Sequence, residues 1–138
     1  MPTIDQLCRD IASLSRKITS KETDLKNCTQ DLKMLTIRRA SLQTQVTKKN
    51  NEICNLERRS NLTPIESGKL ARLKSELPSN QQEFCNRESE EKACSQQHTN
   101  LIIGIANLKR DLEQLKQELN TQKSSGAINY ISRSSFRR

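Results

Sequence analysis

The sequence predicts an all-α fold, a long antiparallel helical hairpin of the coiled-coil type within a larger helical bundle or filament. Three observations carry this. Apolar residues step three, four, three, four along the first sixty positions, the heptad alternation of a helix that buries one narrow stripe. A strong helix-starting signal stands at Thr63-Pro64-Ile65-Glu66. A second seam of the same alternation follows it.

Composition agrees. Of 138 residues only 32% are hydrophobic and 2% aromatic, with three glycines and three prolines. A globule of this size needs more large apolar side chains for its core and more turn formers for its loops. Persistent heptads argue against disorder except in the last fifteen residues.

The first element is a helix over residues 1–60, starting near Thr3 or Asp5. Its seam runs from Ile4, Leu7, Ile11 and Leu14 to Ile53 and Leu56, broken by Lys21, Arg39 and Lys49. A turn at 61–65 follows. Thr63 is a good N-cap, Pro64 suits the first helical position, and Glu66 stands three residues after the threonine to complete a capping box. The second helix then covers residues 64–123, and its seam runs from Leu70 and Leu73 to Leu119 and Gln122. Pro78 removes one backbone donor and predicts a kink or brief break, without a change of register.

Folding the chain at Thr63 pairs the seams so that facing residue numbers total 126: Leu7 with Leu119, Ile11 with Leu115, Leu56 with Leu70. Each arm is then roughly 85 Å long at 1.5 Å per residue. An extended parallel dimer running straight through Pro64 is the architectural rival. Two helices bury little, so further helices are expected, from a second copy or from other proteins. Met34 and Ile37 beside Leu35, and Ile102 and Ile103 beside Leu101 and Ile105, are expected to widen the apolar face as in three- and four-helix bundles.

The polar seam positions are the candidate partner-binding residues. In this register Arg39 faces Arg87, with Glu91 one layer along opposite Leu35. The bland expectation is that Arg39 lays its stem along the stripe and its head in water. The sharper one is an Arg39–Glu91 pair that fixes register or meets a polar partner. Lys21 and Lys49 are expected to reach outward to solvent. Between Asn80 and His98 the seam is weakest, with only Phe84 and Cys94 apolar. That stretch is either frayed or completed by another protein.

The same register sets Cys28 opposite His98, with Cys94 one turn away opposite Leu32. Three ligands fall one short of a structural zinc site and no closely spaced cysteine pair exists, so no metal and no cofactor is assigned. Five cysteines with no C-x-x-C motif suit reduced thiols of a cytoplasmic or nuclear protein, seam cysteines acting as small hydrophobes. Interchain disulfides at Cys8, Cys54 and Cys85 would need an oxidising setting.

Residues 124–138 are expected to be a flexible basic tail after Ser124-Ser125-Gly126 ends the helix. As a docking peptide it would use Ile128, Tyr130, Ile131 and Phe136 as anchors. Arg133, Arg137 and Arg138 would meet an acidic surface.

The net charge of +8 favours acidic partners and is unevenly spread: residues 1–60 carry 12 basic and 7 acidic residues, and residues 124–138 carry three arginines and no acid. No apolar run is long enough for a membrane span. No phosphate-binding glycine loop, catalytic triad or carboxylate cluster is present, so no enzymatic activity is expected. No DNA- or RNA-binding module appears, and the basic residues are interleaved with acids.

At the start of the chain, Leu7-Cys8-Arg9-Asp10 following Met1-Pro2-Thr3-Ile4-Asp5-Gln6 resembles the tektin signature. One residue is inserted before the tetrapeptide, the arginine before the proline is absent, and tektins are several times longer. The resemblance covers ten residues and does not define family membership. It implies a filament associated with ciliary microtubule doublets. The expected role is a structural or adaptor coiled coil that self-associates or packs with helical partners. The setting would be cytoskeletal, on an acidic surface such as tubulin. The alternative is a chromatin, viral or nucleoid protein held to nucleic acid by charge.

Overall fold

The computed structural model describes the backbone of residues 2–136 and the side chains of residues 2–125. It is all-α, with helix α1 at Ile4–Glu57 and helix α2 at Pro64–Phe136, packed together as a helical hairpin. Among the described residues there is no cis peptide and no residue with positive φ.

Each helix end has a local cause. Thr3 caps α1: its hydroxyl accepts from the Gln6 amide at 3.1 Å, and its carbonyl accepts the Leu7 amide at 2.9 Å. At the other end the Arg58 amide reaches the Cys54 carbonyl at 3.1 Å, and the Arg59 amide then tightens to Leu56 at 3.2 Å. The helix therefore stops at Glu57 rather than Ser60, because Ser60 and Asn61 compete for backbone partners and favour a turn. No basic residue stands in that last turn, so Glu57 faces the negative helix end, and Lys74 across the turn offsets it at 2.6 Å.

The capping box that opens α2 is formed as expected. The Glu66 amide donates to the Thr63 hydroxyl at 3.2 Å, and the Thr63 amide donates back to the Glu66 carboxylate at 3.3 Å. Helix α2 then runs without interruption through Pro78, so the break expected there is absent. Its backbone is helical past Ser124-Ser125-Gly126 to Phe136. Serine and glycine weaken a helix without blocking it, and no residue in the segment is a proline. The side chains of Ile128, Tyr130, Ile131, Arg133 and Phe136, and Arg137 and Arg138 entirely, lie outside the described residues.

Two compact units divide the hairpin, Cys28–His98 and Met1–Asn27 with Thr99–Arg138. In the turn-containing unit the antiparallel partners Lys49 and Glu76, Thr36 and Glu91, and Thr29 and His98 each fall within one of the expected total of 126. In the other unit the Gln122 amide reaches the Pro2 carbonyl at 2.9 Å, and Lys109 meets Glu22 at 3.5 Å.

The core is thin. Leu7, Ile18 and Ile105 are buried in one unit, and Cys28, Ile53 and Leu73 in the other. All six are seam positions. Of the remaining seam residues only Ile4 and Lys21 are exposed.

Candidate functional site: the polar layers and the outward apolar residues

Within the unit Cys28–His98, no α1 residue between Cys28 and Ile53 is buried, and no α2 residue between Leu73 and His98 is buried. Its apolar seam residues, among them Leu35, Leu42 and Phe84, are half-buried, and polar contacts cross between them. The Arg39 guanidinium donates through Nε to the Glu91 carboxylate, and Thr36 Oγ1 donates to the same carboxylate at 3.3 Å. Arg39 also donates to the Gln43 side-chain oxygen at 3.0 Å. The Arg39–Glu91 pair anticipated from the sequence is thus formed. Arg87, expected opposite Arg39, donates to Glu90 one turn along its own helix at 2.9 Å. A seam residue packs into a hole bounded by residues of two facing layers. Charge decides which of them it meets, and Arg39 meets the carboxylate.

The same geometry corrects two further expectations. Lys49 does not simply reach solvent: it pairs with Glu76 at 3.1 Å and is only 25% exposed. Cys28 lies against Cys94 rather than His98, whose Nε2 sits 3.0 Å from the Thr29 hydroxyl. Thr36, Gln43, Thr29 and Glu76 were not singled out from the sequence. Their signal was available: each lies one to four positions from a polar seam residue or flanks the seam of the opposite helix.

Near the turn, Glu52 and Lys69 meet at 3.9 Å, and Arg59 pairs with Glu66. Glu66 has its carboxyl held below the ordinary range, first by the Thr63 amide and hydroxyl and then by Arg59. Cys94 has its thiol pushed above the ordinary range, chiefly by burial, then by the hydrogen bond and charge of Cys28 and by Asp31. Among the described residues no group of three or more His, Cys, Asp or Glu side chains is placed to hold a metal ion. A groove of about 420 Å³ in the other unit is lined by residues such as Asp10, Lys17, Asp111 and Glu118 and opens widely to solvent.

The apolar residues expected to widen the seam do something different. Met34 and Ile37 are 54% and 56% exposed, and Ile102 and Ile103 are 48% and 53% exposed. At about 100° per residue, Ile37 sits roughly 170° from the midline of Leu32 and Leu35, and Ile103 roughly 180° from that of Leu101 and Ile105. Ile102 alone flanks the seam closely. The other three project from the opposite side of their helices, as a second set of apolar positions rather than a broader first one. Ile65, beside the turn, is 86% exposed.

These features define a coiled-coil hairpin with polar layers in its seam and apolar residues on its outer faces. The chain matches no protein-family model, and no curated protein or solved structure matches it. The tektin-like start therefore stands as a local similarity of sequence. Among the described residues no helix is long and apolar enough to cross a membrane.

Proposed function

We propose that this chain is a non-enzymatic structural or adaptor protein whose outer helical faces are packed by helices of other chains in a multiprotein assembly. The single observation that carries the proposal is the contrast, among the described residues, between six buried side chains and the half-exposed Met34, Ile37 and Ile103 turned away from that core. Apolar side chains on the solvent face of a helix are stabilised by a partner that removes them from water, at about 25 cal/mol per Å² of apolar surface covered.

The net charge of +8 favours a partner with an acidic surface, and the chain is proposed to act in a cytoskeletal setting on microtubules. The test is co-sedimentation with polymerised tubulin at physiological salt, run beside DNA binding over a salt series. Expected is tubulin binding that survives physiological salt and is lost on Ile37→Lys with the helical signal unchanged. Binding to DNA alone, falling steeply as salt rises, would replace this proposal with a charge-held nucleic-acid protein.

A further inference from the structure

The two thiols in the seam of the unit Cys28–His98 are set against each other. Cys28 Sγ lies 3.8 Å from Cys94 Sγ. Each sulfur also lies over the other residue's backbone: Cys28 Sγ is 3.6 Å from the Cys94 carbonyl oxygen, and Cys94 Sγ is 3.8 Å from the Cys28 carbonyl oxygen. The arrangement is reciprocal, so the two residues stand directly opposite each other across the helix interface. All five cysteines are free thiols, and Cys8, Cys54 and Cys85 are exposed.

A disulfide needs its sulfurs at about 2.05 Å with the side chains directed at one another. Here they are in van der Waals contact, and the reciprocal overlap with the opposite carbonyls shows that the backbones already approach closely. Small side-chain rotations close the remaining gap. Burial raises the affinity of Cys94 for its proton and so slows its reaction, because the thiolate is the reactive form.

We propose that Cys28 and Cys94 are a redox modification site, joined by an intramolecular disulfide when the chain meets a small-molecule disulfide such as oxidised glutathione. Cys94, the more exposed of the two, loses its proton and attacks one sulfur of the oxidant. The oxidant's S–S bond breaks and one glutathione thiolate leaves. Cys28 then loses its proton and attacks the Cys94 sulfur of the mixed disulfide, expelling the second glutathione. Two protein thiols are oxidised by two electrons and one glutathione disulfide is reduced to two thiols. The bond staples α1 to α2 across 66 residues of sequence separation. A stapled hairpin cannot open to exchange an arm with a partner helix, so oxidation would fix the closed form.

The experiment treats the full-length folded chain with oxidised glutathione, caps remaining thiols by alkylation, and maps crosslinks by non-reducing digestion and mass spectrometry. Expected is a fall in free thiols from five to three, the two lost being Cys28 and Cys94, with an upward shift of the thermal midpoint that dithiothreitol reverses. The triple variant Cys8→Ser, Cys54→Ser, Cys85→Ser keeps the crosslink, and Cys28→Ser or Cys94→Ser alone abolishes it. Because serine in the seam could weaken folding, Cys28→Ala, with its helical signal checked, is run beside it. Single glutathione adducts without an internal crosslink would overturn the proposal. So would crosslinks between chains, or the same mixture of pairings from folded and urea-unfolded protein.

Discussion

Arg39 and Glu91 offer the sharpest test of how this hairpin is held in register. The two side chains are 26% and 21% exposed, so the pair is about three quarters removed from water. Fully exposed ion pairs couple by about 0.2–1 kcal/mol, whereas losing one partner of a buried pair costs about 3–5 kcal/mol. Between these limits, Glu91→Ala should cost about 2–3 kcal/mol, because it strands Arg39 and also removes the acceptor of Thr36. A double-mutant cycle of Arg39→Ala and Glu91→Ala should give a coupling of about 1–2 kcal/mol by urea denaturation, read from midpoints at an unchanged slope. Replacing both residues by leucine should be neutral or stabilising, since it exchanges a half-buried charge pair for apolar contact. The double leucine variant should also populate more than one association state, because the directional contact that selects the layer is gone. A coupling below about 0.3 kcal/mol, within the ordinary error of additivity, would refute the assignment of this pair as a register device.

Four other outcomes follow from the same geometry. Thr63→Ala should cost about 1 kcal/mol by removing the cap of α2. Glu66 binds its proton less readily folded than unfolded, so its contribution is complete above the ordinary carboxylate range and is lost as pH falls below it; Glu66→Gln should flatten that part of an acid denaturation curve. Ile105→Ala, at 7% exposure, should cost about 2–4 kcal/mol in thermal denaturation, while Ile103→Ala, at 53%, should cost under about 1 kcal/mol. Hydrogen exchange should be faster for amides at 80–91 than around Leu73 in the isolated chain, and should slow in the assembled state; equal rates in both states would remove this interval as a partner-completed surface.

The hairpin was legible because its strongest signals are local and mutually consistent. The alternation of Leu7, Ile18, Cys28 and Ile53 required a buried stripe, and each of them is buried. The Thr63–Glu66 box located the start of α2 because reciprocal capping depends on residues three apart. What the pattern left open was the choice among neighbours one layer apart. Arg39 could be assigned to the level of Arg87 or of Glu91, and only cross-helix charge complementarity settles such a choice. Cys28 carries no charge to choose with, and its packing against Cys94 rather than His98 depends on side-chain size and on Thr29 engaging the imidazole. Ile37 and Ile103 were misplaced for a different reason. Proximity in sequence to seam residues is not proximity on the helix surface, where two residues of separation is about 200° of rotation.

The outward Met34 and Ile37 bear directly on the proposed assembly. Inside the unit Cys28–His98, the buried layers at Cys28 and at Ile53 with Leu73 bracket an interval whose polar cross-helix contacts include Arg39–Glu91, Thr36–Glu91 and Lys49–Glu76. Polar contacts of this kind are directional: they state which residue faces which, and they lose strength steeply when misaligned. They add little burial. Burial is non-directional and scales with apolar area, so it is supplied equally well from another side. Met34 and Ile37 lie on the far face of α1 within the same interval, where a partner helix could cover them without touching the polar layers. In the proposed assembly, specification of register and supply of burial fall on opposite faces of one helix. Converting the seam to leucine would raise the stability of the lone chain while leaving the outer face uncovered, so a gain in stability with no change in partner binding is the expected mark of that separation.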